Sequence, residues 1–415
     1  MQVDALGKTE LFTVVPQEEA WRRLSERITI TGRSEKVPLS RALGRITAKR
    51  VESPGDLPAF ARSAMDGYAV RAEDTYGASE GLPALLRVAG EVPMGREPKL
   101  ELCAGQAVLI HTGGMLPVGA DAVVMVENTQ LVGDDVEVLR PVAPGENVVQ
   151  VGEDVRKGET ILPAGHLLRP QDLGALAATG IVELEVAARP RVTILATGDE
   201  VIPPEAQPTP GQVRDVNTSL LSGLVQRAGG EPITLGIVPD DYDALLNAAK
   251  RGLHIADALV VIAGSSVSTR DMTVRVIGEL GEPGVLVHGV ALRPGKPTIL
   301  AVANGKPVFG LPGNPVSALV VAGLFVAPAI HRLAGSDQPR GSAVPAILTR
   351  NIPSATGRED YVPVRLLDRN GETWAEPVFG KSNLIFTTVR ADAWVRVPLD
   401  VGGLAAGETV MAIAF

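Results

Sequence analysis

Five loops in the C-terminal two-thirds of this sequence gather the residue types that handle anions and hard metal ions. They are Thr197-Gly198-Asp199-Glu200, Pro239-Asp240-Asp241, Ala263-Gly264-Ser265-Ser266-Val267-Ser268-Thr269-Arg270-Asp271, Leu292-Arg293-Pro294-Gly295-Lys296-Pro297 and Leu311-Pro312-Gly313-Asn314-Pro315-Val316-Ser317. Small residues let a backbone approach a ligand, hydroxyls and free N–H groups at helix starts bind oxyanions, and Arg293 with Lys296 adds positive charge beside them. Asp199, Glu200, Asp240 and Asp271 supply the opposite character, hard oxygen ligands suited to Mg2+ bridging a nucleotide phosphate. The combination points to metal-assisted chemistry on an anion. Each loop alone has a plainer explanation: Thr197 to Glu200 and Asp240 as helix N-caps, Leu311 to Ser317 as a Pro-kinked strand-to-helix turn, Arg293 as a solvated charge. Five such loops on one edge are hard to explain as caps.

The elements that must position these loops are legible as a pattern. From Arg191 to about Leu333, apolar strand candidates (Val192 to Ala196, Ile233 to Val238, Ala258 to Ala263, Val285 to Val290, Thr298 to Val302, Val308 to Leu311) alternate with helical stretches. This predicts a parallel, doubly wound sheet, in which ligands sit beyond the carboxyl ends of the strands. Ahead of it, Ala20, Trp21, Leu24 and Ile28 fall at helical spacing and need a surface to cover them. Between about Thr47 and Val142, short apolar runs broken by Gly and Pro read as a β-rich module, with a hairpin turn at Gly133-Asp134-Asp135. Beyond Ala334 short strands return, and Asn370-Gly371 is a strong two-residue hairpin signal.

Bulk composition narrows the function classes. At 415 residues, about two to four domains are expected. A net charge of −9 with 3% aromatic residues gives neither the basic footprint nor the stacking platform of a nucleic-acid binder. The single cysteine, Cys103, rules out an intrachain disulfide and a cysteine-cluster metal site, and the scattered histidines show no His-Glu-x-x-His spacing. The start of the chain lacks a basic, apolar leader and no apolar run long enough to cross a bilayer is read in it, so a cytoplasmic protein without a membrane span is expected.

Four motifs in order, Ser63-Ala64-Met65-Asp66-Gly67-Tyr68-Ala69-Val70, Thr197-Gly198-Asp199-Glu200, Pro294-Gly295-Lys296-Pro297 and Gly310-Leu311-Pro312-Gly313-Asn314-Pro315-Val316-Ser317, make the chain resemble the molybdopterin molybdenumtransferase family from about Val14 onward. The E domain of gephyrin is a member. The resemblance implies a multidomain α/β fold: a segmented helical part (1–45 plus 145–188), a β-rich domain (46–144), a doubly wound molybdopterin-binding domain (189–335) and a C-terminal β barrel (336–415). It implies a homodimer whose site lies between the α/β and C-terminal domains of one subunit and the β-rich domain of its partner. It also implies Mg2+-dependent insertion of molybdenum from molybdate into adenylyl-molybdopterin with release of AMP, the substrate coming from a molybdopterin adenylyltransferase.

Carried over by motif, Asp66, Glu200, Asp240, Asp271 and Lys296 are the expected catalytic residues, with Asp271 and Glu200 as metal ligands. Expected contacts to the adenylylated pterin and the oxyanion are Thr112, Gly113, Thr197, Gly198, Asp199, Asp215, Asn217, Gly264, Ser265, Ser266, Arg293, Pro294, Gly295, Gly313, Asn314, Ser317, Arg358 and Ser382. Asn217 has the plainer alternative of a helix N-cap. The sequence departs from the family pattern at Ala263 and Ser268, where glycines are usual, and at Arg293, where lysine is. Added Cβ atoms restrict the backbone, and a guanidinium offers a planar fork instead of a compact ammonium. A tungstate-selective paralogue, a non-catalytic molybdopterin-binding protein or scaffold, and a nucleotide-processing enzyme that borrowed the α/β domain are the other readings.

Overall fold

A computed structural model describes residues 14–263, 267–337 and 343–414, with the backbone alone over 267–270. Its central sheet is built from Arg191–Thr197 (β1), Glu231–Val238 (β2), Ala258–Ala263 (β3), Pro283–His288 (β4), Ile299–Ala303 (β5) and Lys306–Pro312 (β6), in the order β2-β1-β3-β6-β5-β4. β1 lies between two parallel neighbours, with Val192 opposite Pro232 on one side and Ala258 on the other, and β6 extends the parallel set beside β3. β3 is buried at all its positions, as a strand covered on both faces must be.

Helices Asn217–Arg227 (α1), Tyr242–Ile255 (α2), Val267–Gly278 (α3) and the long stretch Pro315–Leu333 (α4) divide between the two faces. Alternation along the strands assigns them. Ile194, Val260 and Ile262 pack with Leu221 and Leu224 of α1 and with Val316 and Phe325 of α4. Leu195, Leu259 and Val261 pack with Leu245 and Ala249 of α2 and with Val276 and Ile277 of α3.

Two expectations are corrected here. The sheet is mixed, not wholly parallel: β5 runs antiparallel to both β6 and β4. Asn304 and Gly305 join β5 to β6 with φ of 52° and 83°, a two-residue hairpin turn that leaves no room for a crossover. The second correction concerns the apolar run. Pro315–Leu333 is long and apolar enough to cross a membrane, but 67% of it is buried inside the protein, where it forms one wall of the sheet's core. That burial explains its composition, since a helix packed on a sheet and flanked by other helices is apolar nearly all round.

The N-terminal helix Gln17–Ser25 finds its covering surface on the same side of the sheet. Ala20, Leu24 and Ile28 are buried in one cluster with Val287, Leu300 and Ile194. Upstream, Gly67–Val70, Ala84–Glu91, Gln106–Ile110, Ala122–Met125, Thr129–Val132 and Asp135–Val138 form a second six-stranded sheet, with the expected hairpin at Gly133. The segments flanking this sheet meet each other, Ser34–Pro38 pairing with Glu183–Ala187 and Val51–Glu52 with Thr160–Leu162. At the C-terminus, Ala343–Leu348, Glu359–Arg369, Glu372–Pro377, Ala393–Val397 and Thr409–Ala414 close into a barrel through the pairing of Glu359–Arg369 with Ala393–Val397. Its first hairpin turns at Asn370-Gly371 as expected, with φ of 56° and 82°.

The helix Pro170–Ala178 is held by a buried charge. Asp172 accepts from the Arg169 N–H (2.8 Å) and guanidinium (3.0 Å) and lies 2.8 Å from His166 Nε2. Burial pushes the Asp172 carboxyl up, but the Arg169 guanidinium, His166 and the Arg169 N–H together outweigh it and hold the group well below the usual range. Asp172→Asn is expected to cost about 2 kcal/mol, because one partner of a buried pair is removed. A carboxyl with a depressed folded-state pKa contributes stability above about pH 4, and that contribution fades as pH falls toward the folded value. Urea unfolding with hydrogen exchange over 160–187 checks both: the gap between wild type and variant should shrink in acid.

Candidate active site

The described parts of all five loops lie along one edge of the sheet. Four leave the carboxyl ends of β1, β2, β3 and β6, and the fifth joins β4 to β5 at the same edge, because β4 runs in the sense of β6. With the order β2-β1-β3-β6, the chain reverses direction between β1 and β3, which is where ligands bind in doubly wound sheets.

The barrel closes over part of this edge to form a cavity of about 890 Å3. Leu292–Arg293 runs as a short strand parallel to the start of Glu359–Arg369, placing Arg293 opposite Asp360. Asp360 is 3% exposed. It accepts from Arg358 Nε at 2.9 Å and from Arg293 Nη1 at 3.4 Å, so one buried carboxylate orients two guanidiniums at the cavity wall. Lys296 and Lys381 line the same cavity, as do Pro294, Gly295, Asn314, Ser317 and Ser382. Ser317 sits in the first turn of α4, and the Val316 N–H beside it donates to the Ser382 carbonyl at 3.1 Å, stitching helix to barrel.

Gly295 sets the course of the loop. Its φ is +119°, and a Cβ there would stand 2.5 Å from Val321 Cγ2 in the core. The next turn is closed by the Thr298 hydroxyl donating to the Gly295 carbonyl at 2.6 Å. Lys296, which follows Gly295, is thereby set at the cavity by the backbone course of the loop.

The acids form a neighbouring group that does not line the cavity. The Thr197 hydroxyl donates to the Asp240 carboxylate, and the Asp240 N–H donates to Asp199 Oδ1 at 3.2 Å. Asp241, not Asp240, caps α2, accepting from the Ala244 N–H at 2.9 Å. The capping explanation of Asp240 is therefore removed. Gly198 has φ +141°, and a Cβ would lie 2.9 Å from both Glu200 Oε2 and Val201 Cγ2, so glycine is needed beside Glu200. Asp199, Glu200 and Asp271 are exposed at the edge.

A chain of backbone contacts joins acids to cations. Val201–Ile202 pairs with Val213–Arg214, which leads to Asp215 and Asn217. Asp215 accepts from the Thr218 N–H at 3.0 Å and so stabilises the start of α1. Asn217 is no cap: its Nδ2 donates to the Gly313 carbonyl at 2.7 Å, tying the β1 loop to the β6 loop. Ala263 ends β3 opposite Pro312, buried, and takes no left-handed backbone, so its methyl fits where the family pattern has glycine. Ser268 falls in the first turn of α3. Gly264, Ser265 and Ser266 lie outside the described residues.

Among the described residues no set of three acids, histidines or cysteines is placed to hold a metal ion. Glu200 and Asp271 are exposed carboxylates, hard oxygen groups of the kind Mg2+ takes beside waters and phosphate oxygens.

A third group sits in the β-rich sheet. Asp66 accepts from the Thr112 N–H (2.7 Å) and hydroxyl (3.0 Å), and these bonds, with weaker help from His111, hold its carboxyl below the usual range. Gly67 pins the turn, since a Cβ would meet the Val124 carbonyl oxygen at 1.9 Å. Gly113 closes it, its N–H donating to Ser63 O at 2.8 Å. No residue of this sheet lines the cavity. Within one chain, Asp66, Thr112 and Gly113 are therefore brought together with each other but not with Arg293 and Lys296.

Sequence reasoning missed Asp360, Lys381 and Phe379 at the cavity. All three come from the barrel, and their only sequence signal is proximity to Arg358 and Ser382.

A doubly wound sheet whose loop edge carries a cationic cavity under a small barrel is an architecture suited to an anionic small molecule. Three family models cover nearly the whole described chain: the MoeA N-terminal region (domain I and II) over residues 15–180, the probable molybdopterin binding domain over 193–332, and the MoeA C-terminal region (domain IV) over 345–415. The molybdopterin molybdenumtransferase of Bacillus subtilis is 34% identical over 97% of this chain and 95% of its own. A putative molybdopterin biosynthesis protein of Methanocaldococcus jannaschii is 38% identical over 94% of each chain. The crystal structure of the molybdopterin biosynthesis MoeA protein of Pyrococcus horikoshii OT3 aligns with a TM-score of 0.84 at 35% identity, covering 97% of this chain and all of that one. The chain belongs to the MoeA family, the molybdopterin molybdenumtransferases.

Gly295→Ala tests the cavity's backbone. It is expected to destabilise the protein by about 2 kcal/mol or more, through both the left-handed φ and the clash with Val321, and to weaken oxyanion binding by displacing Lys296. Thermal unfolding and molybdate titration should move together; a variant matching wild type in both would mean the loop is free to readjust.

Proposed function

We propose that this protein inserts molybdenum from molybdate into adenylyl-molybdopterin, releasing AMP. The observation that carries the reading is the convergence of Arg293, Lys296, Arg358 and Lys381 on one cavity at the loop edge of the sheet. Asp360 offsets part of this charge, and the cations it leaves over suit an anion in the cavity; the family's relatives are named for this transfer.

In this reading the guanidiniums oriented by Asp360, with Lys296 and Ser317, hold the tetrahedral oxyanion next to the dithiolene. The loops from β1 to β3 bring their acids to the nucleotide's phosphate. Fixed donors aimed at developing charge, and proximity of the two reactants, do most of the catalysis, and no covalent protein nucleophile is needed. Glu200 and Asp271 would hold Mg2+, which would supply positive charge to the departing nucleotide phosphate. A cytoplasmic setting and supply of the substrate by a molybdopterin adenylyltransferase belong to the same reading, as does the division into parts at 1–45 plus 145–188, 46–144, 189–335 and 336–415.

Purified protein given adenylyl-molybdopterin, Mg2+ and molybdate should release AMP and retain metal on the pterin. Lys296→Ala is expected to slow this by about 100-fold or more and Asp271→Ala to abolish it. Tight binding of the pterin without turnover, under molybdate or tungstate, would instead indicate a carrier or scaffold.

The absence of Asp66 and Thr112 from the cavity lining supports a homodimer in which the partner supplies them. Mixing is the check. Asp66→Ala and Lys296→Ala subunits, each inactive alone, should regain about a quarter of wild-type activity when co-expressed, since half the dimers are mixed and each carries one intact site. No recovery would place Asp66 and Lys296 in the same subunit's site.

A further inference from the structure

The cavity is larger than an oxyanion needs. At about 890 Å3 it falls among pockets that enclose whole small molecules. Two aromatic residues line it, Tyr361 and Phe379. Tyr361 is 6% exposed, part of the core shared by barrel and sheet, and its hydroxyl donates toward Gln17 and Glu359. It has no free face to offer.

Phe379 is different. It is 53% exposed, at the start of the loop that leaves the barrel strand Glu372–Pro377. That loop is anchored on both sides of it. The Val378 N–H donates to the Pro363 carbonyl at 2.8 Å, and the Ser382 carbonyl accepts from Val316. Gly380 passes so close to Thr387 that a Cβ would stand 2.2 Å from Thr387 Cγ2. A single exposed phenylalanine is ordinary on a protein surface. One fixed on a tethered loop, two residues from Lys381 and on the wall that also carries Arg358, makes a flat apolar platform beside cations. That pairing suits a planar heterocycle bearing a phosphate, because stacking holds the ring while the cations hold the ester.

Resting on the transferase reading above, we infer that Phe379 stacks on the heteroaromatic ring of the substrate and so sets which phosphorylated heterocycle the cavity accepts. Adenine and the pterin offer the same chemistry, and the experiment separates them. Phe379→Ala and Phe379→Trp are compared with wild type in steady-state turnover, and in equilibrium binding of three probes: AMP, molybdopterin without its adenylyl group, and molybdate. Phe379→Ala should raise KM for adenylyl-molybdopterin about tenfold with kcat within about twofold, and Phe379→Trp should restore it. Weakened AMP binding assigns the platform to adenine, and weakened molybdopterin binding assigns it to the pterin. Molybdate binding should be unmoved. The inference is overturned if Phe379→Ala binds both ring-bearing probes as wild type does, or if molybdate weakens equally, which would signal a collapsed loop. Failure of the transferase reading looks different: wild type itself would then neither bind nor turn over adenylyl-molybdopterin.

Discussion

One buried carboxylate organises the cationic cavity. Asp360 lies at the seam between sheet and barrel, 3% exposed, with Arg358 on one side and Arg293 on the other. Two guanidiniums facing one cavity repel each other, and the repulsion grows as water is excluded. A carboxylate between them offsets this and fixes both forks, while their exposed faces remain available to an anion. The pairing also needs the backbone to cooperate. Leu292–Arg293 runs beside Glu359–Asp360, and the Glu359 N–H donates to the Ala291 carbonyl at 2.8 Å. Without that short ladder, barrel and sheet would present their cations to solvent separately.

The same seam explains why the core ignores the boundary between the two units. Tyr361 and Trp394 of the barrel belong to one apolar cluster with Phe325 and Val320 of α4 and Leu24 of the N-terminal helix. Burying the Tyr361 ring, next to the Glu359 carboxylate, pushes its hydroxyl pKa above the ordinary value, so it stays neutral. Glu359 in turn is held by Arg396 at 2.6 Å. The cavity wall is thus backed by a shared apolar core and by an ion pair on the buried Glu359 carboxylate.

How much of this could be read from the residues follows from the range of each contact. The β1, β3 and β6 loops are local: a strand ends, small and polar residues follow, a helix begins, and the site edge results. The turns at Asn370-Gly371 and Gly133 are equally local. The antiparallel β5 was misread although Asn304-Gly305 carries the same hairpin signal, because alternation of strand and helix outweighed one dipeptide. The Pro315–Leu333 run was passed over for a related reason: Ser317, Gly323 and Pro328 interrupt its apolar character in the sequence, whereas in space the whole stretch is a single wall. Asp360, Lys381 and Phe379 were invisible because their significance depends on residues more than 60 positions away.

Local geometry also decides between ordinary and functional explanations for single residues. An aspartate after a strand is usually a helix cap, and Asp241 is one. Its neighbour Asp240 is left to bond across to Thr197 and Asp199, a contact between two strand ends that stabilises no helix. Asp215 and Asn217 divide in the same way, the first supporting α1 and the second reaching Gly313. In both pairs one residue builds the element and the other links the loop to the next strand's loop. The links run from β2 to β1 and from β1 to β6, so the acid edge is connected to the turn that precedes Asn314 and Ser317. The separation of acids from cations is therefore a spacing held by backbone and side-chain hydrogen bonds.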